Sequence, residues 1–257
     1  MAKIIAIVNQ KGGVGKTTTA VNLSACLAAQ SQRTLLVDVD PQGNAGSGLG
    51  FNKDDIKASI YHALIGDMDA PDIILPTGVE NLELLPANND LAGAEVELVG
   101  WDQREFRLRE VLAPLRRIYD FIIIDCPPSL GLLTVNALAA ADTVLVPIQT
   151  EYYALEGLGH LLNTIGLIHE HLNPALGIEG IVLTMFDRRT NLSQQVAGEV
   201  TGHFGDLVFD TVIPRNVRLS ESPSFGLPIT HYAMQSQGAQ SYIALAEEFL
   251  ARNNAAA

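Results

Sequence analysis

Cysteine is scarce. Cys26 and Cys126 are the only two in 257 residues, far apart and without Cys-x-x-Cys spacing. That excludes a disulfide framework and a zinc ribbon, and leaves two core thiols as the reading. Long apolar runs are also missing: no stretch approaches the roughly 18 residues that a bilayer span needs. The hydrophobic opening at 4–8 breaks at Asn9-Gln10-Lys11, so neither a secretory leader nor an anchor is expected, and a cytoplasmic location is. Positive charge is in deficit, 16 Lys+Arg against 29 Asp+Glu for a net charge of -13. This excludes blanket attraction to nucleic acid but says nothing of a local patch. Internal repeats, low-complexity tracts and linkers are absent as well. What remains is a chain with 47% hydrophobic residues, able to bury a large core and too apolar for disorder. A single domain over 1–257 is expected, with 253–257 as a frayed tail.

Short β-rich runs recur at 4–8, 34–37, 82–85, 121–124, 143–147, 178–183 and 207–213. Several are apolar throughout, as strands covered on both faces of a parallel sheet are. The spacers 16–30, 104–117, 131–141, 153–171, 192–204 and 236–252 carry apolar residues at helical intervals. The pattern predicts an α/β fold, a doubly wound, mostly parallel sheet with helices on both faces. Residues 42–80, rich in Gly, Asp and Pro, are expected to form short helices and loops.

The most informative segment runs from the first strand into Gln10-Lys11-Gly12-Gly13-Val14-Gly15-Lys16-Thr17-Thr18 and then into a helical pattern. Strand, glycine loop and helix in that order build an anion cradle. Glycines let backbone N–H groups curl around a phosphate, the helix N-terminus adds its dipole, Lys16 adds a point charge, and the Thr17 hydroxyl suits Mg²⁺. The first glycine of the usual motif is replaced by Gln10, and Lys11 follows it. Taken alone, Lys11 reads equally well as an exposed surface lysine.

Two more strands end in carboxylates. The run 34–37 closes on Asp38-Val39-Asp40-Pro41-Gln42-Gly43-Asn44, and the run 121–124 on Asp125-Cys126-Pro127-Pro128. Strand C-termini are where open α/β sheets bind ligands. Asp38 and Asp40, two apart, share a face and suit a metal's water shell and an attacking water. Asp125 suits Mg²⁺ held through water. A nucleophilic Cys126 lacks a nearby His in sequence. His169-Glu170-His171 reads as a solvated helix end.

Between 118 and 251 the only Lys or Arg residues are Arg188, Arg189, Arg215 and Arg218. Both pairs are expected on loops beyond strand ends, where neighbouring strands can bring them together. Two readings stand: contact with nucleotide or a DNA phosphate backbone, or solvated arginines paired with Asp187 or Glu221.

Lys-Gly-Gly-x-Gly-Lys-Thr-Thr resembles the deviant Walker A motif of the ParA/MinD group of P-loop ATPases. Asp-x-Asp-Pro-Gln-Gly-Asn, the segments 184–193 and 213–221, and Gly93-Ala94-Glu95-Val96-Glu97-Leu98 resemble the chromosomal ParA/Soj partition ATPases over essentially the whole chain. The resemblance implies ATP and Mg²⁺ as cofactors. It implies that Lys11 reaches a partner's phosphates in an ATP-state homodimer, with Lys11, Gly12, Gly13, Val14, Gly15, Lys16, Thr17 and Thr18 on the nucleotide. Asp40 becomes the hydrolytic residue, Thr17, Asp38 and Asp125 the metal residues, and Met185, Pro214 and Asn216 neighbours of the base. Arg189 and Arg218, with Arg188 and Arg215, become contacts to non-specific DNA, and a ParB-like centromere-binding protein the partner on the nucleoid. The alternatives within the wider fold are a MinD-like membrane-associated or protein-cargo switch, and an iron-sulfur relative. The C-terminal helix, with Glu247 and Glu248 and a single Arg, is poorly suited to anionic lipid, so no membrane binding is expected. Cys26, inside the helix after the loop, is poorly placed to share a cluster.

Overall fold

The computed structural model describes residues 1–152 and 154–255. The first half alternates β1 (Lys3–Ile7), α1 (Lys16–Ala29), β2 (Thr34–Asp38), α2 (Asn44–Gly48), α3 (Ile60–Ile65), β3 (Leu75–Pro76), β4 (Leu82–Leu85), α4 (Leu91–Glu97), α5 (Arg107–Leu112) and β5 (Phe121–Asp125). The second half continues with α6 (Leu132–Ala140), β6 (Thr143–Gln149), α7 (Ala154–His171), β7 (Gly177–Thr184), α8 (Asn191–Phe204), α9 (Val217–Glu221), α10 (Ile229–Tyr232) and α11 (Gln237–Ala255). The strands form one seven-stranded sheet in the order β3-β4-β2-β5-β1-β6-β7. All neighbours are parallel except β3, an antiparallel edge.

Alternate residues of the apolar strands serve opposite faces, as the two-residue period of a strand requires. Ile4, Ala6, Leu35, Val37, Ile122 and Ile124 join the core under α4 to α7. Ile5, Ile7, Leu36 and Ile123 join the core under α1 and α11, with Leu23, Leu27, Tyr242 and Phe249. This two-sided burial explains why β1, β2 and β5 read as continuous hydrophobic runs.

Three expectations need correction. Residues 207–213 are not a strand: a short 3₁₀ turn, Gly205–Leu207, leads into a segment that meets β7 at an isolated bridge, Ile181 to Val208, and through the Ile213 N–H donating to the Leu183 carbonyl at 2.8 Å, while Pro214 bridges Phe186 beyond the strand. The segment is held as well by α11. Arg252 donates to the carbonyls of Asp206 and Val208, stacks 4.1 Å from the Phe209 ring centroid, and orients Glu248, which accepts from the Asp210 and Thr211 N–H groups. The expected helix at 104–117 is broken into a 3₁₀ turn, α5 and a second 3₁₀ turn starting at Pro114, because proline has no N–H to continue the ladder. The tail is helical through Ala255, and Asn253 donates to Glu179 and accepts from Lys3. Tyr153, Ala256 and Ala257 lie outside the described residues. Residues 42–80 do form short helices and turns, plus the two-residue edge β3.

Candidate nucleotide site and arginine surface

Strand order puts the loop after β1 between the ends of β5 and β6, with β2 beyond β5. The loop turns on Gly13 (φ 75°) and Gly15 (φ 91°), left-handed conformations that glycine adopts without strain. Gly15 opens α1, whose N-terminus has no side-chain cap, so its first N–H groups point into the loop. At Gly12 and Gly13 an added Cβ would meet nothing within 4 Å, and the cradle there is open. Lys16 is 7% exposed and its Nζ donates to the Lys11 carbonyl at 3.2 Å. Burial pulls its ammonium below the ordinary lysine value, an effect opposed by Asp125, Cys126 and Asp40. The Thr184 hydroxyl, at the end of β7, donates to the Val14 carbonyl at 2.8 Å and ties the loop to the far side of the sheet.

The carboxylates converge from the other side. Register pairs Asp125 with both Ile7 and Asp38 across adjacent strands. Asp38 is fully buried and accepts from the Asp40 and Ala45 N–H groups, each at 3.0 Å. Asp40, 8% exposed, accepts from the Gln42 N–H at 2.9 Å. Both oxygens of Asp125 are buried and make no hydrogen bond of ordinary geometry among the described residues, with the Thr17 hydroxyl as the donor beside them. Burial, and then the Asp38 charge, push the Asp125 carboxyl well above the usual carboxylate range, while Thr17 and Lys16 act against that shift. Burial likewise raises Asp38, partly offset by its backbone donors. Two buried carboxylates facing each other with unused lone pairs and a threonine hydroxyl alongside are an oxygen donor set suited to a hard divalent cation.

Beside Gly15 and Thr18 a cavity of about 620 Å³ opens between β7 and α9, lined by Met185, Pro214, Asn216, Val217 and Leu219 among others. Met185 adopts φ 50°, unusual for a side chain of its size, and so turns the chain at the cavity wall. Asn216 caps α9 by accepting from the Arg218 N–H. Of the residues singled out in sequence, the loop, the three aspartates and this base-sized cavity therefore meet on one edge of the sheet.

Lys11 does not point into the loop. Its Nζ meets Glu151 Oε2 at 2.5 Å, with both side chains about half exposed. Glu151 is a site residue that sequence reasoning missed, as is Tyr242, which lines the cavity and hydrogen-bonds Thr19. Neither belongs to a local motif, since both are brought in by distant elements. Cys126 is buried, its thiol pushed up by burial and then by Asp125. His169 shares a hydrogen bond with the Leu176 carbonyl.

The bridge between Phe186 and Pro214 joins the two arginine loops, and Arg188, Arg189 and Arg215 line one groove with Asp187 and Asp210. Arg218 lies apart on α9. Arg189 is held by Asp187 at 2.8 Å, and Arg218 by Glu221 at 2.8 Å. The Arg189 hydrogen bonds draw the Asp187 carboxyl down to about 2. The paired arrangement is thus present on this surface for two of the four arginines; Arg188 and Arg215 form no ion pair among the described residues.

The AAA domain profile matches residues 2–178. The chain is 60% identical to the chromosome partitioning protein ParA of Myxococcus xanthus over 98% of its own length and 89% of that protein's. It is also 60% identical to the sporulation initiation inhibitor protein Soj of Bacillus subtilis, over 98% and 99%. This chain belongs to the ParA/Soj family of chromosome-partitioning ATPases. Among solved structures, a Mycobacterium smegmatis protein described as cobyrinic acid a,c-diamide synthase, with bound ADP and magnesium, superposes with TM-score 0.88 at 39% identity, covering 100% of this chain and 97% of that one. The doubly wound fold expected from the strand pattern is therefore the family's own.

Proposed function

We propose that this chain is a Mg²⁺-dependent ATPase switch for DNA segregation, in which ATP drives a sandwich dimer that binds DNA without sequence preference and is released when a ParB-like partner stimulates hydrolysis. The observation that carries this reading is the convergence of the loop 11–18 with Asp38, Asp40 and Asp125 on one sheet edge. A relative solved with ADP and magnesium supports the same assignment of cofactors.

Thr17, Asp38 and Asp125 would hold Mg²⁺, which supplies charge neutralisation at the phosphates. Lys16 and the N–H groups at the start of α1 bind phosphate. Asp40, nearly buried with one oxygen held by Gln42 N–H, orients the attacking water. Met185, Pro214 and Asn216 receive the base. In the free protomer Lys11 rests on Glu151, an exposed pair of the sort that contributes roughly 0–1 kcal/mol. A partner's phosphates carry several charges, so Lys11 exchanges Glu151 for them at small cost when two protomers meet. The same weak pairing leaves Arg189 and Arg218 ready to exchange Asp187 and Glu221 for DNA phosphates.

The test is binding of Asp40→Ala protein to random-sequence DNA with ATP, ADP or no nucleotide. Arg189→Ala/Arg218→Ala on the same background is the control. Binding with ATP alone, lost in the control, is the expected result. ATP-driven dimers that ignore DNA would overturn the DNA reading in favour of a protein-cargo or membrane switch, and co-sedimentation with anionic liposomes would separate those two.

A further inference from the structure

The carboxylate loop and the arginine-bearing segment touch through bare backbone. From Asp38 the chain is strapped tightly: Asp38 accepts from Asp40 and Ala45, the Gly43 N–H donates to the Asp40 carbonyl at 2.9 Å, and α2 follows at once. The stretch ends at Gly50, in the left-handed conformation (φ 89°). From the other side, α9 runs directly into a 3₁₀ turn, Ser222–Phe225, closed by Gly226 (φ 64°). A Cβ on Gly226 would lie 2.5 Å from Gly50 Cα, and a Cβ on Gly50 would lie 3.2 Å from the Gly226 carbonyl oxygen. No side chain intervenes to absorb a displacement of either strand of chain.

The segment on the Gly226 side is braced as a unit. Arg218 meets Glu221, the Tyr232 hydroxyl donates to the same Glu221 oxygen at 3.0 Å, and the Tyr232 ring stacks on Phe225 at 4.8 Å. Its opposite flank, Asn216, Leu219 and Pro223, lines the base-sized cavity. One rigid piece therefore meets the nucleotide cavity on one flank and the carboxylate loop on the other, with Arg218 on it. Beside the contact lies a cavity of about 270 Å³ lined by Ser47 and Gly48 on one side and Ser222 and Pro223 on the other, so direct transmission of a shift falls on the close backbone contact of Gly50 with Gly226.

We propose that the Gly50–Gly226 backbone contact is the coupling by which the nucleotide state of the Asp38–Asp40 loop sets the position of Arg218 for DNA binding. Glycine at both positions is then a requirement of signalling as well as of turn geometry. The inference rests on the DNA-segregation reading and makes Gly50 and Gly226 positioning residues, since neither lines the base-sized cavity and neither carries a side chain.

The test compares the full-length wild type with Gly226→Ala, Gly50→Ala and Gly66→Ala. Gly66 has a left-handed φ of 82°, and the nearest atom to an added Cβ is the tip of Arg107 at 3.7 Å, so its variant carries the backbone strain without the contact. Affinity for ATPγS, dimerisation with ATPγS by sedimentation, DNA affinity of the ATPγS state and hydrogen exchange over 216–227 are measured for each. Gly226→Ala is expected to keep nucleotide affinity and dimerisation, lose DNA affinity by about tenfold, and lose the change in exchange that nucleotide induces in the wild type. Gly50→Ala, the milder intrusion, should do the same more weakly and serves if Gly226→Ala does not fold. Wild-type DNA binding by both variants overturns the coupling and leaves the proposed function intact. Loss of nucleotide affinity in both, or an equal loss of DNA affinity in Gly66→Ala, also overturns it. Failure of the wild type to bind DNA with ATPγS overturns the DNA reading and the inference together.

Discussion

Asp125 illustrates how a single side chain can be unfavourable for the free protein and still suit the metal-holding role proposed for it. Its two oxygens are buried opposite the buried Asp38, with only the Thr17 hydroxyl and the Lys16 charge to offset them, and a buried charge so weakly compensated is costly. Asp125→Asn removes the charge in nearly the same volume. The nucleotide-free variant should be more stable than the wild type at pH 8, by on the order of 1 kcal/mol, in urea unfolding. It should also lose the added stabilisation by ATP with Mg²⁺ that is expected of the wild type. A destabilised variant would mean that the Thr17 and Lys16 interactions outweigh the burial of the charge. The cysteines make the opposite point. Burial pushes the Cys26 thiol up to about 12 and Cys126 upward too, and both are at most 2% exposed. Thiolate is the reactive form, so neither should react with iodoacetamide at pH 8 in native protein, and both should once unfolded. Rapid alkylation of native Cys126 would reopen the thiol reading.

At the scale of elements, the segment after α8 shows why an apolar, β-branched run need not become a strand. Residues 207–213 have the right composition, but Gly180 in β7 (φ 155°) lets Phe209 come so near that a Cβ there would lie 2.5 Å from the ring and 2.8 Å from the Leu207 carbonyl. The segment packs as a wedge against α11. Gly180→Ala should cost about 1–3 kcal/mol by overpacking, read as a lower urea midpoint with an unchanged slope. Arg252→Ala should be destabilising by a similar amount, because it releases two carbonyls, a ring face and Glu248 together. A shift of only a few tenths of a kcal/mol would show that the core alone holds the wedge. The stakes are functional, since this segment leads to Pro214, Arg215 and Asn216.

For the whole molecule, nucleotide and DNA should each read out as linked equilibria. With ATP and Mg²⁺ at 100 times the dissociation constant, unfolding free energy should rise by about 2.7 kcal/mol, and chelation of the metal should remove most of that gain. If all four arginines of each protomer in a dimer met phosphates, log K for DNA would fall with log salt at a slope of at most about -7. Salt-insensitive binding would rule the arginine surface out. The overall negative charge makes the local nature of that surface essential, because it works against the net charge of -13.

Sequence alone determined the parts that act locally. The unbroken apolar runs of β1, β2 and β5 could only be doubly covered strands, and glycines at 12, 13 and 15 before Lys16 and Thr17 specify an anion cradle because backbone conformation there is a short-range matter. The placement of Asp38 and Asp125 at the ends of β2 and β5 was legible for the same reason, as each closes an apolar strand. Tertiary structure decided which distant groups meet. Pairing of β5 between β1 and β2 set Asp38 against Asp125, the position of β6 gave Lys11 its Glu151, and the bridge from Phe186 to Pro214 joined one arginine loop to the other while leaving Arg218 on α9. Contacts between residues far apart in the chain depend on packing of whole elements, and no short-range preference encodes them.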